Sequence, residues 1–359
     1  MSQTDYYPVS QRALRVGVNA ALAQIHRTNG VGRIWGTGIE RLGRRASIVL
    51  DHGDQAVAPR PDVWLADGHA GAIDVPEPVV ALVFDARWVE PRLAADLDPG
   101  FLSWIAPNTA QAVRRATRVL TISFASARQI AQLGVGADRI DVVPPGVDLT
   151  VFQPGLAGGR ELVAARTGDD RPYIMCVASL FRGKNLVLLR RAVARLAARG
   201  LPHRLVIVTQ DAGVDRLGAS GVLAELRVGE EPPPEIFQNV SEEQLAALIA
   251  GATAFCLPSS FEGFGLPALE ALACGVPAVV SGGGALPEVV ADAALIVEPT
   301  EEAIEQAMAA IIEDHALARK LAWQSRARAE MFSWDKTVEG WMLSLQRAVQ
   351  AGQAPVEKF

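Results

Sequence analysis

Two glutamates, Glu262 and Glu270, stand eight positions apart in the stretch Pro258-Ser-Ser-Phe-Glu-Gly-Phe-Gly-Leu-Pro-Ala-Leu-Glu-Ala-Leu-Ala-Cys-Gly275. Residues 254–257 read as a buried strand that Pro258 and the following glycines cannot continue. Pro267 suits a first helical turn, where its missing N–H costs nothing, and Gly275 suits a helix end. The unit is therefore strand, glycine-containing loop, helix, and the free N–H groups at such a helix start suit an anion such as a diphosphate. A carboxylate beside a diphosphate would repel it. Each glutamate is instead expected to accept hydrogen bonds from hydroxyls on either side, Glu262 from one sugar and Glu270 from the other. A nucleotide sugar has this layout of hexose, diphosphate and ribose. The plainer reading makes Glu262 a helix cap and Glu270 a surface residue. Against it, Ala268-Leu269 and Ala271-Leu272-Ala273 make the helix nearly all apolar, hence buried, and a buried carboxylate needs a partner.

A diphosphate leaving group gains charge as its bond breaks and needs cations. Arg182 and Lys184, in Ser179-Leu-Phe-Arg-Gly-Lys-Asn185, follow a predicted strand and precede a predicted helix. Lysine is rare in this chain, being confined to Lys184, Lys320, Lys336 and Lys358, although loop charges are ordinarily just solvated. Gly30-Val-Gly-Arg-Ile-Trp-Gly36 fits G-x-G-x-x-x-G, but residues 19–29 separate it from the preceding strand and no acidic residue follows at the ribose distance, so NAD binding is not expected. Asp85 ends a strand over residues 79–84 and is an acceptor-side candidate; His69 reads as structural. Asp96-Leu-Asp98 matches a metal-binding D-x-D pattern, yet beside Pro99-Gly100 it reads as a solvated turn, and no metal is expected. Residues 282–286 form a second glycine-rich turn, equally well a plain turn or a loop near the nucleotide. Arg114, Arg115 and Arg118 offer an exposed basic face, or a contact with anionic lipid.

Around these residues the chain alternates short apolar runs with amphipathic stretches, as parallel α/β units do. Strands are predicted at 14–18, 47–50, 62–65, 79–84, 119–122 and 140–143, and again at 173–177, 205–209, 235–237, 254–257, 278–280 and 295–297. Helices are predicted at 32–42, 109–117 and 125–133, then at 185–198, 241–250, 266–273, 301–312, 315–331 and 334–349. The 359 residues suit two domains, with the Pro/Gly-rich region from Pro144-Pro145-Gly146 to Gly159 between them. The expected architecture is two Rossmann-like, doubly wound α/β domains facing across a cleft: residues 1–155, 156–333, and a terminal helix at 334–359 packing back on the first. The net charge of −6, carried entirely by the part after residue 150, argues against nucleic-acid binding. Cys176, Cys256 and Cys274 lack metal-ligand spacing and read as buried thiols of a reducing cytoplasm. Residues 1–15 show no apolar signal core, and no apolar run is long enough to span a bilayer. The expectation is a cytoplasmic protein, with contact at the inner membrane face as the limit.

The 258–275 segment resembles the E-x7-E signature of family-4 retaining glycosyltransferases, which have the GT-B fold. The likeness extends through Ser281-Gly-Gly-Gly-Ala-Leu-Pro-Glu-Val-Val290, Phe332-Ser-Trp-Asp335, Ile122-Ser-Phe-Ala-Ser126 and residues 142–148. It implies a hexosyltransferase that moves a sugar from a nucleotide-diphosphate donor to a hydroxyl of a glycan or lipid-linked acceptor, with retention and without a cofactor. It implies that Glu262 meets the donor sugar and Glu270 the ribose. Backbone N–H groups of Gly263, Phe264, Gly265 and Leu266, with the Gly30 and Gly32 loop opposite, would hold sugar and phosphates. Arg182, Lys184 and Asp85 complete the implied site. Similar enzymes often have Gly-Arg where this chain has Ala178-Ser179, and His-Asp where it has Phe84-Asp85. The Arg182-x-Lys184-Asn185 loop leans toward mannosyltransferases and GDP-mannose, in polysaccharide biosynthesis. The alternatives are a sugar-nucleotide epimerase or phosphorylase on the same fold, or a non-catalytic nucleotide-sugar-binding protein.

Overall fold

A computed structural model describes residues 13–23, 30–51, 60–69, 75–209, 219–228 and 232–353. Residues 1–12 of the N-terminal stretch, residues 24–29 before the Gly30 motif and residues 354–359 lie outside the described residues. In the first half, β1 (Arg15–Asn19), β2 (Ser47–Asp51), β3 (Val63–Asp67), β4 (Val79–Leu82), β5 (Arg118–Thr121) and β6 (Ile140–Val142) form a parallel sheet in the order β2-β1-β3-β4-β5-β6. In the second, β7 (Tyr173–Val177), β8 (Arg204–Thr209), β9 (Glu235–Gln238), β10 (Ala254–Leu257), β11 (Ala278–Ser281) and β12 (Leu295–Val297) form another, in the order β12-β11-β10-β7-β8-β9. Central strands such as β4, β10 and β11 are buried at every position, because helices cover both faces. This is the expected α/β architecture of two doubly wound sheets.

Strand order decides where a ligand can sit. The winding direction reverses between β1 and β3 in the first sheet and between β7 and β10 in the second, and crevices open beyond the carboxyl ends at such reversals. The 178–185 loop leaves β7, the 258–265 loop leaves β10, and residues 83–86 leave β4. The first two leave strands at the reversal and the third leaves a strand beside it, and all three contribute to one cavity between the sheets.

Several helices differ from the sequence expectation. The helix expected at 109–117 begins at Pro99, where Asp98 caps it by accepting from the Phe101 amide at 2.8 Å; Pro107 within it obscures the periodicity. The D-x-D match is thus partly a helix cap. After the turn-rich stretch 154–159, the connection between the halves carries a helix, Gly159–Thr167, in a segment for which no element was predicted. The Gly30–Gly36 motif is not a loop: it forms the first turns of helix Gly30–Leu42. Arg118 is held by Asp141 at 2.6 Å rather than free on a basic face.

The closing helix, Trp334–Gln353, returns to the first half and packs against helix Gly30–Leu42 and strands β3, β4 and β5. Thr337 Oγ1 donates to the Pro144 carbonyl at 2.8 Å, and Ser344 Oγ to Asp141 at 2.7 Å. Trp341 lies edge-on to Trp35, with centroids 6.0 Å apart, and rests where any side chain at Gly38 would collide with it. Trp341→Ala is expected to lower the unfolding free energy by about 3–5 kcal/mol, read from urea denaturation. A loss below about 1 kcal/mol would show that the closing helix is not seated in the cooperative core.

Beyond β3, His69 stacks on Phe84 with centroids 5.8 Å apart. Its Nε2 accepts from the Phe84 amide at 3.0 Å, so the ring proton is on Nδ1, which faces Thr109 Oγ1 at 2.9 Å. Burial pushes this imidazole below its ordinary value, with Asp67 and Asp85 only partly offsetting it. The unfolded chain binds the proton near pH 6.5, the folded chain only at lower pH. The unfolded state then holds more protons in that window, and stability falls as pH drops below about 6.5. His69→Gln keeps an acceptor for the Phe84 amide but does not titrate. It is expected to flatten the decline of the urea midpoint between about pH 7 and pH 5; an unchanged decline would exclude His69 as its source.

Candidate active site

The cleft encloses a cavity of about 660 Å³ lined from both halves, within the range that holds small-molecule ligands. The first half contributes Gly30, Arg33, Phe84 and Asp85; the second contributes Ser179, Lys184, Thr209, Ser241 and the loop from Glu262 to Pro267.

The loop at β10 follows from its residue types. Gly265 precedes helix Leu266–Ala273 with φ 99°, a left-handed conformation that favours glycine, and Pro267 fills the first turn. Gly263 is closely packed: a side chain there would come within 3.1 Å of an Asp85 carboxylate oxygen and 3.2 Å of the Phe84 carbonyl, so these neighbours would have to give way. The amides of Gly263, Phe264 and Gly265 donate to no backbone acceptor among the described residues.

Glu262 is nearly buried and its Oε1 accepts from both Lys184 Nζ and Ser259 Oγ at 2.6 Å. Its backbone pairs with the 282–284 turn, whose Ala285 amide donates to the Glu262 carbonyl at 2.9 Å. Lys184 reaches the site because Asn185, at φ 55°, ends a short turn and donates through Nδ2 to the Pro258 carbonyl at 2.8 Å. Glu270 is 2% exposed, and its partner is Arg33 of helix Gly30–Leu42, across the cleft. Burial raises the Glu270 carboxyl above its ordinary value, against the opposing pull of Arg33.

Not every predicted residue arrives. Arg182 is corrected: it is 64% exposed, pairs with Glu225 at 2.7 Å and does not line the cavity. Its turn directs it outward while Lys184, two residues on, points in. Gly32 is buried inside its helix rather than on the lining, whereas Gly30 does line the cavity. Asp85 lines the cavity, but Arg87 grips both of its oxygens at 3.0 and 2.8 Å. Burial would raise that carboxyl; the charge and hydrogen bonds of Arg87 prevail and hold it at about 2. It is a fixed anion and a poor proton acceptor. The 282–284 turn faces a separate groove beside Arg92 and Arg128. Burial pushes the thiols of Cys176 and Cys274 up to about 12, which leaves them inert.

Three contributors were not singled out from sequence. Arg33 sits inside a motif read only for its glycines, and Arg87 two residues past Asp85 has no local signature. Glu288 clasps the other half: its carboxylate accepts from the Phe124 and Ala125 amides, at 3.0 and 2.8 Å, at the start of helix Phe124–Ala131. A carboxylate at a helix N-terminus is favoured by the helix dipole. Ser126 Oγ beside it donates to the Gly263 carbonyl at 3.2 Å, tying the same helix to the site loop.

Comparison with known proteins agrees with this geometry. Residues 162–328 match the family model described as glycosyl transferases group 1. An MMP alpha-(1->4)-mannosyltransferase of Mycolicibacterium hassiacum is 33% identical over 243 residues, covering 66% of this chain and 55% of the relative. A D-inositol 3-phosphate glycosyltransferase of Segniliparus rotundus is 30% identical over 318 residues, covering 86% and 63%. The chain thus spans between half and two thirds of the length of these relatives. Among solved structures, sucrose-phosphate synthase of Thermosynechococcus elongatus aligns with a TM-score of 0.72 at 18% identity, over 95% of this chain and 100% of that one. Anabaena HepE in complex with UDP-glucose aligns with a TM-score of 0.68 at 17% identity, over 93% and 100%. With two doubly wound parallel sheets facing across a cleft, the chain has the GT-B fold, and residues 162–328 in its second half carry the glycosyl transferases group 1 family segment.

Proposed function

We propose that this protein transfers a hexose from a nucleoside-diphosphate sugar to a hydroxyl of a glycan or lipid-linked acceptor, with retention of anomeric configuration. The observation that carries the reading is the meeting of Lys184, Glu262 and the Gly263–Gly265 amides, which have no backbone acceptor among the described residues, at the winding reversal of the second sheet. The working division is residues 1–155 for the acceptor, 156–333 for the donor, and 334–359 as a helix shared with the first half. Support for a mannosyl donor such as GDP-mannose comes from the relative named as a mannosyltransferase. HepE, a structural neighbour, was solved with UDP-glucose, so the choice of base is an experimental one. No helix among the described residues is long and apolar enough to cross a membrane. A lipid-linked acceptor would meet the protein at the membrane surface.

In this reading the bond between the anomeric carbon and the diphosphate oxygen breaks while the acceptor oxygen bonds to the same face of the sugar. The acceptor proton passes to the departing phosphate oxygen. Asp85, held at about 2 by Arg87, is unsuited to take that proton, which favours the leaving group as its acceptor. Lys184 stabilises the charge that develops on the diphosphate, and Glu262 keeps the ammonium in place while accepting from a sugar hydroxyl.

A thermal-shift screen with UDP, GDP, ADP and dTDP sugars, followed by transfer assays with the stabilising donor, tests the reading. Lys184→Ala is expected to lower kcat by about 10²–10³-fold. Arg182→Ala is expected to stay within about twofold of wild type, as its partner among the described residues is a solvated glutamate. Unchanged transfer in Lys184→Ala, or a collapse in Arg182→Ala, would reverse the assignment.

A further inference from the structure

Arg33 has so far appeared only as the partner of Glu270, yet its placement points to a second role. It lies one turn into helix Gly30–Leu42 and lines the main cavity. It also lines an adjoining pocket of about 120 Å³, and Glu270 lines that smaller pocket rather than the main cavity. The guanidinium therefore stands between Glu270 and the cavity. Nη1 contacts Glu270 Oε1 and lies 3.8 Å from Glu242 Oε1.

The pair is unsaturated. Arg33 Nε and Glu270 Oε2 are both buried without a hydrogen-bond partner among the described residues. Buried polar atoms are rarely left so, and each calls for a ligand. Arg33 needs an acceptor, and Glu270 needs a donor. A nucleoside diphosphate supplies both, through its phosphate oxygens and its ribose hydroxyls.

Charge points the same way. A diphosphate brings more negative charge than Lys184 can balance, and Lys184 already shares its own charge with Glu262. Arg182 is turned to solvent on Glu225, and position 179 is a serine. Among the described residues lining the cavity, the Lys and Arg side chains are Lys184 and Arg33.

We propose that Arg33 is the second cation for the donor diphosphate, supplied by the first half, and that it rests on Glu270 until a nucleotide arrives. Nucleotide binding exchanges partners: Glu270 accepts the ribose hydroxyls, and the planar fork of Arg33 turns to the phosphate oxygens, for which its geometry is suited. Because Arg33 and Lys184 come from opposite halves, both cations meet the diphosphate only when the cleft is closed. This inference rests on the nucleotide-sugar reading above.

The test is calorimetric binding of UDP and GDP, and of UMP and GMP, to wild type, Arg33→Ala and Arg33→Lys. Arg33→Ala is expected to weaken the preferred diphosphate by about tenfold or more. The matching monophosphate is expected to bind unchanged or more tightly, because Glu270 is released, and Arg33→Lys is expected to recover part of the loss. As Arg33→Ala leaves Glu270 unpaired, the same comparison in a Glu270→Gln background guards against misfolding, with the diphosphate-to-monophosphate affinity ratio as the readout. Wild-type binding with an unchanged ratio in Arg33→Ala overturns this inference alone. Failure of the wild type to bind any nucleoside diphosphate overturns the donor reading and this inference with it.

Discussion

A carboxylate withdrawn from water obliges a counter-charge to follow it, and the two halves of this protein meet around that obligation. Glu270 lies in a helix whose other side chains are almost all apolar and buried. Its counter-charge, Arg33, comes from the opposite sheet's first helix. Removing one member of such a pair strands a buried charge, which is far more costly than the pair's net contribution. The contact therefore favours a closed cleft, and the Glu288 carboxylate on the first turn of helix Phe124–Ala131 does the same at the other end. The closing helix completes the union by running from the end of the second half onto the first.

The same rule orders the reacting end of the cleft. Glu262 is bound to Lys184 and Ser259, and Asp85 is gripped by Arg87. Glu262, Asp85 and Glu270 are each held against a cation. A site so arranged offers fixed charge and hydrogen-bond acceptors rather than a free base. That suits chemistry in which the main demand is to stabilise charge on a leaving group.

Glycine has one decisive use in this arrangement. The chain must turn sharply between β10 and its helix while passing close to Asp85, so Gly265 takes a left-handed conformation and Gly263 leaves room for the opposite half. The loop so formed lines the cavity.

From its amino acids alone the chain declared two parallel α/β sheets, the strand–loop–helix unit around Glu262 and Glu270, and the burial of Glu270. These follow from local rules: apolar periodicity, proline and glycine at their proper positions, and the impossibility of an unpartnered carboxylate in an apolar helix. Pro107 inside Pro99–Arg115 hid half a helix, because a proline tolerated by tertiary packing looks the same in sequence as one that breaks the chain. Which cation answers which anion was decided only by the fold. Arg182 and Lys184 are equivalent in a string of letters, yet a single turn sends one to Glu225 in solvent and the other to Glu262 in the cleft. Arg33, Arg87 and Glu288 carried no readable signal, since their partners are fixed by how the sheets face each other. Electrostatic pairing depends on distance through space, and distance through space is what a linear sequence does not contain.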